Sequence, residues 1–205
     1  MTGQKARMAG VMRLCNSIFK RSMSEHMRPN ATLRFPSSDI RIVPAAEQYI
    51  TGFNYCVGVV ARERKYIAKV DAPPLSLSAS FVHMLLAGGG VQMLAVNAKN
   101  DVVGWCDIVR DQREGYTHRG TMGMGLLPDY RGRGLGEKLL RATIDAAVKM
   151  GIERVELEVY PSNQRAIRLY EKLGFRLEGT KHKARKLDGK YEDDRFMALI
   201  VGESP

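Results

Sequence analysis

The sequence predicts an α/β fold, in which strands and helices alternate along much of the chain. Three patterns carry this prediction. Residues 121–127 are typical of a strand, which Pro128 ends, and a glycine-rich turn and a helix follow at once. Residues 155–159 (Val-Glu-Leu-Glu-Val) alternate between apolar and acidic side chains, as a strand with one buried face does. A helix start, Pro161-Ser162-Asn163, comes directly after that strand.

The same signals predict six elements before the glycine-rich turn. Pro44 ends the first strand, Pro73-Pro74 separates two helices, and Gly88-Gly89-Gly90 ends the second helix. The polar turn 97–101 then separates two strands. The predicted elements are a strand over 40–44, helices over 45–65 and 76–86, and strands over 91–96, 102–109 and 118–127.

A helix over 135–150 follows the turn, because apolar residues recur there every three or four positions and Gly151 is placed to cap the end. Asp188-Gly189 is a tight-turn pair and predicts a hairpin that leads into the last strand. The remaining predicted elements are a helix over 164–173 and strands over 175–180 and 191–201.

The N-terminal residues differ in composition from the rest of the chain. The chain has 205 residues, enough for one hydrophobic core, and we expect a single domain over 39–202. Residues 1–34 contain seven basic residues and one acid, Glu25, so they carry +6 of the formal net charge of +10. We therefore expect residues 1–36 to be a loosely ordered basic arm. An organelle transit peptide is an alternative interpretation of the same composition.

Composition also excludes several classes of protein. No apolar run approaches the roughly 18 residues of a membrane-spanning helix, so we expect no membrane partner. The cysteines, Cys15, Cys56 and Cys106, are scattered and match no zinc spacing, which favours a reducing, cytoplasmic location and no metal. The net charge raises a nucleic-acid partner as an alternative, but most of that charge lies in the arm, which disfavours it.

Three glycines at alternate positions, Gly132, Gly134 and Gly136, mark the turn before the helix. Glycine permits a positive φ and lets a ligand approach the main chain closely. The free N–H groups of the helix's first turn and the helix dipole favour an anion there, and Arg131 and Arg133 add positive charge. A phosphate or pyrophosphate is the expected ligand. The spacing matches neither the P-loop pattern nor the dinucleotide pattern GxGxxG.

Two motifs resemble those of the GCN5-related N-acetyltransferases. Residues 131–136 (Arg-Gly-Arg-Gly-Leu-Gly) resemble the family signature Arg/Gln-x-x-Gly-x-Gly/Ala. Residues 163–175 resemble the family's second hallmark, Asn-x-x-Ala-x-x-x-Tyr-x-x-x-Gly-Phe. The motifs occur in the family's order, separated by one helix and one strand, and the resemblance covers roughly residues 39–202.

The resemblance implies a mixed central sheet flanked by helices on both faces. Two neighbouring parallel strands, 121–127 and 155–160, would splay apart in a V so that acetyl-CoA, the co-substrate, inserts between them. The Leu126 N–H would then polarise the thioester carbonyl, and 131–136 would hold the pyrophosphate. The predicted cofactor-binding residues are Leu126, Leu127, Pro128, Arg131, Gly132, Arg133, Gly134, Leu135, Gly136 and Asn163. Asn163 has an equally good interpretation as a helix cap.

The resemblance also implies the catalytic residues. Tyr170 matches the family's general acid, and a phenol suits that role because its pKa lies near that of an alkyl thiol. Glu158 lies twelve residues before Tyr170, where ribosomal-protein alanine N-acetyltransferases carry a Glu, and it is the candidate base. Glu156, His118 and an ordered water are competing candidates, and His118 or Asp107 could line the acceptor pocket.

The acceptor is a small-molecule or peptide amine. Residues 178–181, 184–189 and 191–197 resemble members that acetylate free amino acids or protein N-terminal amines. Residues 66–90 are expected to build the acceptor wall. The oligomeric state is open, a homodimer included. Two alternatives from other classes are a non-catalytic CoA-binding sensor and, less favoured, a basic nucleic-acid-binding protein.

Overall fold

A computed structural model of the protein describes residues 40–202, so the predicted arm over 1–36 lies outside the described residues. The strands are β1 Arg41–Pro44, β2 Gly90–Val96, β3 Val102–Arg110, β4 Arg119–Leu126, β5 Arg154–Val159, β6 Arg176–Leu187 and β7 Lys190–Ile200. The α-helices are α1 Ile50–Arg62, α2 Leu75–Met84, α3 Leu135–Lys149 and α4 Gln164–Lys172. Short 3-10 turns cover Glu47–Tyr49 and Pro128–Tyr130, and a π turn covers Leu85–Gly89.

The described strands form one seven-stranded sheet in the order β1-β2-β3-β4-β5-β7-β6. Strands β4 and β5 are parallel, whereas the other neighbouring pairs are antiparallel. The sheet is therefore mixed, as predicted. It places the two strands of the predicted splay side by side at its centre.

Helices cover both faces of the sheet, which confirms the predicted α/β architecture. On one face, α3 packs on β2, β3 and β4, and its fully buried Leu139 belongs to one core cluster with Leu157 of β5 and Ile167 of α4. On the other face, α1 and α2 pack on β2 and β3, where Phe53 meets Trp105 edge to face at 5.9 Å. Within residues 40–202, no helix combines the length and apolar character needed to cross a membrane. Cys56 and Cys106 are buried and unpaired.

Two predicted elements differ from those observed. The helix predicted over 45–65 is divided into a 3-10 turn and α1. Strand β6 continues to Leu187 instead of ending near 180, because it pairs with β7 along its length despite two register shifts. The predicted hairpin turn is confirmed, since Asp188 and Gly189 both have positive φ, +49° and +77°.

The parallel pair β4–β5 separates soon after it begins. Only three residue pairs are in register: Arg119 with Arg154, Gly120 with Val155 and Thr121 with Glu156. Beyond that point β4 stays paired with β3, and β5 stays paired with β7. The two inner edges therefore lack their ladder partners, which is the V-shaped splay that the sequence resemblance implied.

Candidate active site

The inner edges of the splay present main-chain groups to the gap. Hydrogen-bonding direction alternates along an antiparallel ladder. Leu127 N–H donates to Val103 O at 2.9 Å, so the preceding residue, Leu126, directs its N–H away from β3 and into the gap. Val201 N–H donates to Glu153 O at 2.8 Å, and the same alternation turns the main chain of Glu158 towards the gap. This direction is the one that a thioester donor at Leu126 needs, and the donation itself stays a prediction.

A cavity of about 580 Å³ extends from the splay to the start of α3 and to α4. Its volume lies in the usual range for a small-molecule or cofactor site. Eight of the twelve predicted site residues line it: Leu126, Arg131, Gly132, Gly134, Gly136, Glu158, Asn163 and Tyr170. Leu127, Pro128, Arg133 and Leu135 lie outside its wall, and Leu135 is buried in the core beneath α3. Contacts of these four with the cofactor stay predictions.

The N-terminus of α3 is built to receive an anion. Gly134 precedes the helix with a φ of +74°, and no side chain caps the helix. Lys138 N–H makes the first helical bond, to Gly134 O at 3.2 Å, and among residues 40–202 no backbone carbonyl accepts from the N–H groups of Leu135 or Gly136. A Cβ added at Gly134 would meet no heavy atom within 4 Å. Free donors beside open space fit the pyrophosphate of acetyl-CoA.

Arg165 brings a further positive charge to this turn. A Cβ added at Gly132 would lie 2.6 Å from Arg165 Nη2, so the guanidinium of this α4 residue rests on the glycine turn. Arg165 also lines the cavity. Sequence reasoning missed it, because it occupies a variable position of the second motif and only its charge could have drawn attention to it.

Arg131 acts as a clamp between the splay and α1. Its Nε donates to Leu126 O at 2.8 Å, and its two terminal nitrogens bind both carboxylate oxygens of Glu63, one of them at 2.8 Å. The guanidinium also stacks over the Tyr66 ring at 4.9 Å. Its charge is therefore matched by Glu63 before any phosphate binds, and the predicted contact of Arg131 with the cofactor stays a prediction.

Tyr170 lies in the cavity wall and is otherwise enclosed by protein. Its side chain is 7% exposed, and its ring centroid lies 5.7 Å from that of Phe175. Burial, and to a lesser degree the nearby Cys106, raises the pKa of the Tyr170 phenol above its usual value. The hydroxyl therefore keeps its proton throughout the neutral range, which is the state that a general acid requires.

Asn163 caps α4 and also lines the cavity. Its Oδ1 accepts the Ala166 N–H at 3.3 Å, so the interpretation as a helix cap is observed. The same side chain stands in the cavity wall, which leaves the predicted cofactor contact open. One residue can serve both purposes, because the cap uses only its oxygen.

Among the carboxylates named as bases, the structure brings Glu158 to the cavity and not Glu156. Arg154 Nε binds Glu156 at 2.7 Å and Arg119 lies 3.5 Å from it, and this carboxylate is only 13% exposed. His118 is exposed just before β4, at the paired end of the β4–β5 strands. Neither Glu156, His118 nor Asp107 lines the cavity. Asp194 of β7 does line it, although no sequence motif indicated this residue.

Asp107 is a buried carboxyl group on β3, opposite Gln92 of β2. Burial raises its pKa from 3.8 to about 7, and the Gln92 amide offsets part of that rise. Because the folded state then binds this proton more tightly than the unfolded state, the contribution of Asp107 to stability is lost as the pH rises from about 4 to about 7.

We expect Asp107→Asn to remove this loss, because the amide stays neutral. Relative to the wild type, the variant should gain up to about 4 kcal/mol of unfolding free energy between pH 4 and pH 8. Urea unfolding at both pH values measures the change. Parallel pH dependence in the two proteins would mean that Asp107 titrates normally.

Comparison with known proteins identifies the family to which the chain belongs. The sequence model of the Acetyltransferase (GNAT) family matches residues 65–175. L-amino acid N-acetyltransferase AaaT of Escherichia coli K12 is 32% identical over 112 residues, which cover 54% of this chain and 69% of AaaT. The ribosomal protein bS18-alanine N-acetyltransferase of Escherichia coli K12 is 42% identical over 74 residues, which cover 36% of this chain and 50% of that enzyme.

Solved structures agree as well. A GNAT-family acetyltransferase from Streptococcus pneumoniae has a TM-score of 0.74 at 25% identity, covering 80% of this chain and all (100%) of that chain. The yncA protein of Salmonella typhimurium, solved with its cofactor acetyl-CoA, has a TM-score of 0.75 at 19% identity, covering 82% of this chain and 96% of its own. The fold, the site and these matches together define an acetyl-CoA-dependent N-acetyltransferase. The chain belongs to the GNAT acetyltransferase family.

Proposed function

We propose that the protein acetylates the primary amine of a free amino acid or of a peptide or protein N-terminus, by direct attack within a ternary complex. One observation carries this proposal. Tyr170 and Glu158 line the same cavity, at the splay where the Leu126 N–H is directed into the gap. Acetyl transfer from a thioester to an amine requires a general acid, a base and a hydrogen-bond donor that polarises the carbonyl. The Glu158 carboxylate can serve as the base.

Each group has a distinct task in the proposed reaction. Glu158 accepts a proton from the ammonium so that the neutral amine can attack. The Leu126 N–H donates a hydrogen bond to the oxygen on which negative charge develops. Tyr170, which is protonated at neutral pH, gives its proton to the departing sulfur. The free N–H groups at the start of α3, together with Arg165, hold the pyrophosphate.

The acceptor class is supported by the relatives and by the cavity wall. Tyr66, Ile67 and Ala68 line the cavity and belong to the segment predicted as acceptor wall. AaaT is named for L-amino acids, and the bS18 enzymes for a protein alanine. The free thiols of Cys56 and Cys106 accord with the cytoplasmic location that we propose.

An amine screen with acetyl-CoA, read by the release of free thiol, tests the proposal. We expect thiol release with L-amino acids or with peptides that have a free N-terminal amine, and none with their N-acetylated counterparts. Tight acetyl-CoA binding without turnover on any amine would instead identify a CoA sensor. Acetylation confined to lysine side chains would contradict the proposed acceptor class.

A further inference from the structure

A second carboxyl group, that of Asp194, lies beside Glu158 in the cavity wall. In the sheet register Glu158 is opposite Phe196, and Asp194 is opposite Lys181. Residues two apart on a strand share a face, so Asp194 and Phe196 project to the side of the sheet on which Glu158 lies. Both carboxyl residues line the cavity that also contains Tyr170.

The cations near this pair do not neutralise both carboxylates. Lys181 Nζ is bound to Glu158 Oε1. Asp194 makes no ion pair with any residue in 40–202, and its Oδ1 is buried without a hydrogen-bond partner in that part of the chain. Of these two neighbouring carboxylates only Glu158 is paired with a lysine, and one buried oxygen of Asp194 lacks a donor.

Glu192 and Arg185 are two further charged groups near Asp194, and Arg185 keeps two buried nitrogens, Nε and Nη1, without a hydrogen-bond partner in residues 40–202. Glu192, on the same face of β7, binds Arg185 Nη2 at 3.0 Å and Ser162 Oγ at 2.5 Å. The Arg185 guanidinium stacks over the Tyr160 ring at 4.2 Å. Arg185 pairs with Glu192 and not with Asp194 or Glu158, so among residues 40–202 Lys181 is the cation that binds this carboxylate pair.

The protonation of Asp194 reflects this arrangement. Burial is the largest cause, followed by the hydrogen bond and the negative charge of Glu158, and together they raise the pKa of Asp194 from 3.8 to about 6. A cation placed between the two carboxylates would stabilise their charged forms. The charge of Lys181, which is bound to Glu158, lowers the pKa of Asp194 in part but does not cancel the rise.

We propose that Asp194 is a second catalytic carboxylate, which together with Glu158 binds the acceptor's ammonium group and takes its proton. This inference rests on the proposed function and adds a residue to it. The α-ammonium of a peptide N-terminus has a pKa near 8 and that of a free amino acid a higher one, so either is charged at neutral pH and provides three donors for the two carboxylates.

The protons balance as follows. One N–H bond of the ammonium breaks and its proton passes to the pair, which leaves the lone pair on nitrogen. Nitrogen attacks the thioester carbonyl carbon, and the C–S bond breaks with its electrons on sulfur. Sulfur takes the Tyr170 proton, and the second proton lost by nitrogen restores the phenol. The pair then releases its proton to water, so one proton leaves per turnover.

The pH profile of kcat/KM tests the inference, with L-alanine and an N-terminal alanyl peptide as acceptors. In the wild type, kcat/KM should fall as the pH drops below about 6, because protonation of the pair removes the charge that holds the ammonium. Asp194→Asn should lower the plateau of kcat/KM by about 10–100-fold. It should also remove the acidic limb near pH 6, because the carboxyl group that titrates there is replaced by a neutral amide.

Asp193→Asn is the matched control. Asp193 is the next residue of β7 and projects to the opposite face, where it lies 3.0 Å from His182 Nδ1 and accepts the Lys183 N–H at 2.8 Å. This variant should keep both the plateau and the acidic limb. If Asp194 had only a structural role, Asp194→Asn would lower the free energy of unfolding and leave the acidic limb of kcat/KM unchanged.

Carboxyl carbon NMR of the free protein gives a readout that requires no acceptor. The Asp194 carboxyl should titrate near pH 6 in the wild type and at lower pH in Glu158→Gln. Titration below pH 4 in both proteins would overturn the inference whatever the activity. If the wild type acetylates alanine or the peptide but Asp194→Asn keeps its plateau and limb, the inference fails and the proposed function stands. If none of the amines tested causes thiol release, the proposed function itself fails.

Discussion

Replacing Tyr170 with phenylalanine should slow turnover by about 10²–10⁴-fold and leave the affinity for acetyl-CoA nearly unchanged. The ring remains in its packing against Phe175, so the fold is kept. Only the hydroxyl is lost, and with it the proton for the departing sulfur. Steady-state kinetics gives the rate, and calorimetry with acetyl-CoA gives the affinity.

Tyr49→Phe is the control for this prediction. Tyr49 is 8% exposed, close to the 7% of Tyr170, but it packs in the cluster beneath α1 and does not line the cavity. Its variant should keep wild-type turnover. A Tyr170→Phe protein that lost acetyl-CoA affinity as strongly as turnover would show that the residue serves packing instead of proton transfer.

Gly134→Val should weaken acetyl-CoA binding by at least about 100-fold, or about 3 kcal/mol. The added side chain would enter the open space before α3, where the N–H donors converge. Because Gly134 has a φ of +74°, the same change also strains the backbone by about 1–2 kcal/mol. Calorimetry with acetyl-CoA and thermal unfolding separate the two effects.

Gly151→Val isolates the strain. Gly151 follows α3 with a φ of +83°, and a Cβ there also meets no heavy atom within 4 Å, yet it does not line the cavity. This variant should lose similar stability and keep its affinity for acetyl-CoA. Gly136 has no positive φ, and a Cβ there would make only ordinary contacts of 3.5 Å or more. Gly136→Val therefore adds a side chain at the site without this backbone strain. If all three variants bound acetyl-CoA alike, the anion site would lie elsewhere.

Local signals were sufficient to predict the order of the elements, whereas the position of the splay came from the family resemblance. Prolines and glycines mark the element ends directly, and the strict alternation in 155–159 identifies both β5 and the face that carries Glu158. The two motifs then supplied the pairing of β4 with β5, which no local pattern encodes.

Interactions between distant segments could not be predicted. Asp194 is 36 residues from Glu158 in the chain, and only the β5–β7 register brings the two together. Arg165 reaches the glycine turn because α4 packs beside α3, and neither residue type nor spacing reveals that approach. Strand β6 was underestimated for the same reason, since its polar residues 181–187 gain strand structure from pairing with β7.

The clamp formed by Arg131 has an evolutionary consequence. Its guanidinium joins Leu126, on the thioester side, to Glu63 and Tyr66, which lead into the acceptor wall. A substitution of Glu63 alone would leave the charge of Arg131 unpaired beside β4, whose Leu126 N–H is the proposed carbonyl donor. Lineages of this enzyme can therefore diversify their acceptors most freely at Ile67 and Ala68, whereas Glu63 and Arg131 are expected to be inherited as a pair.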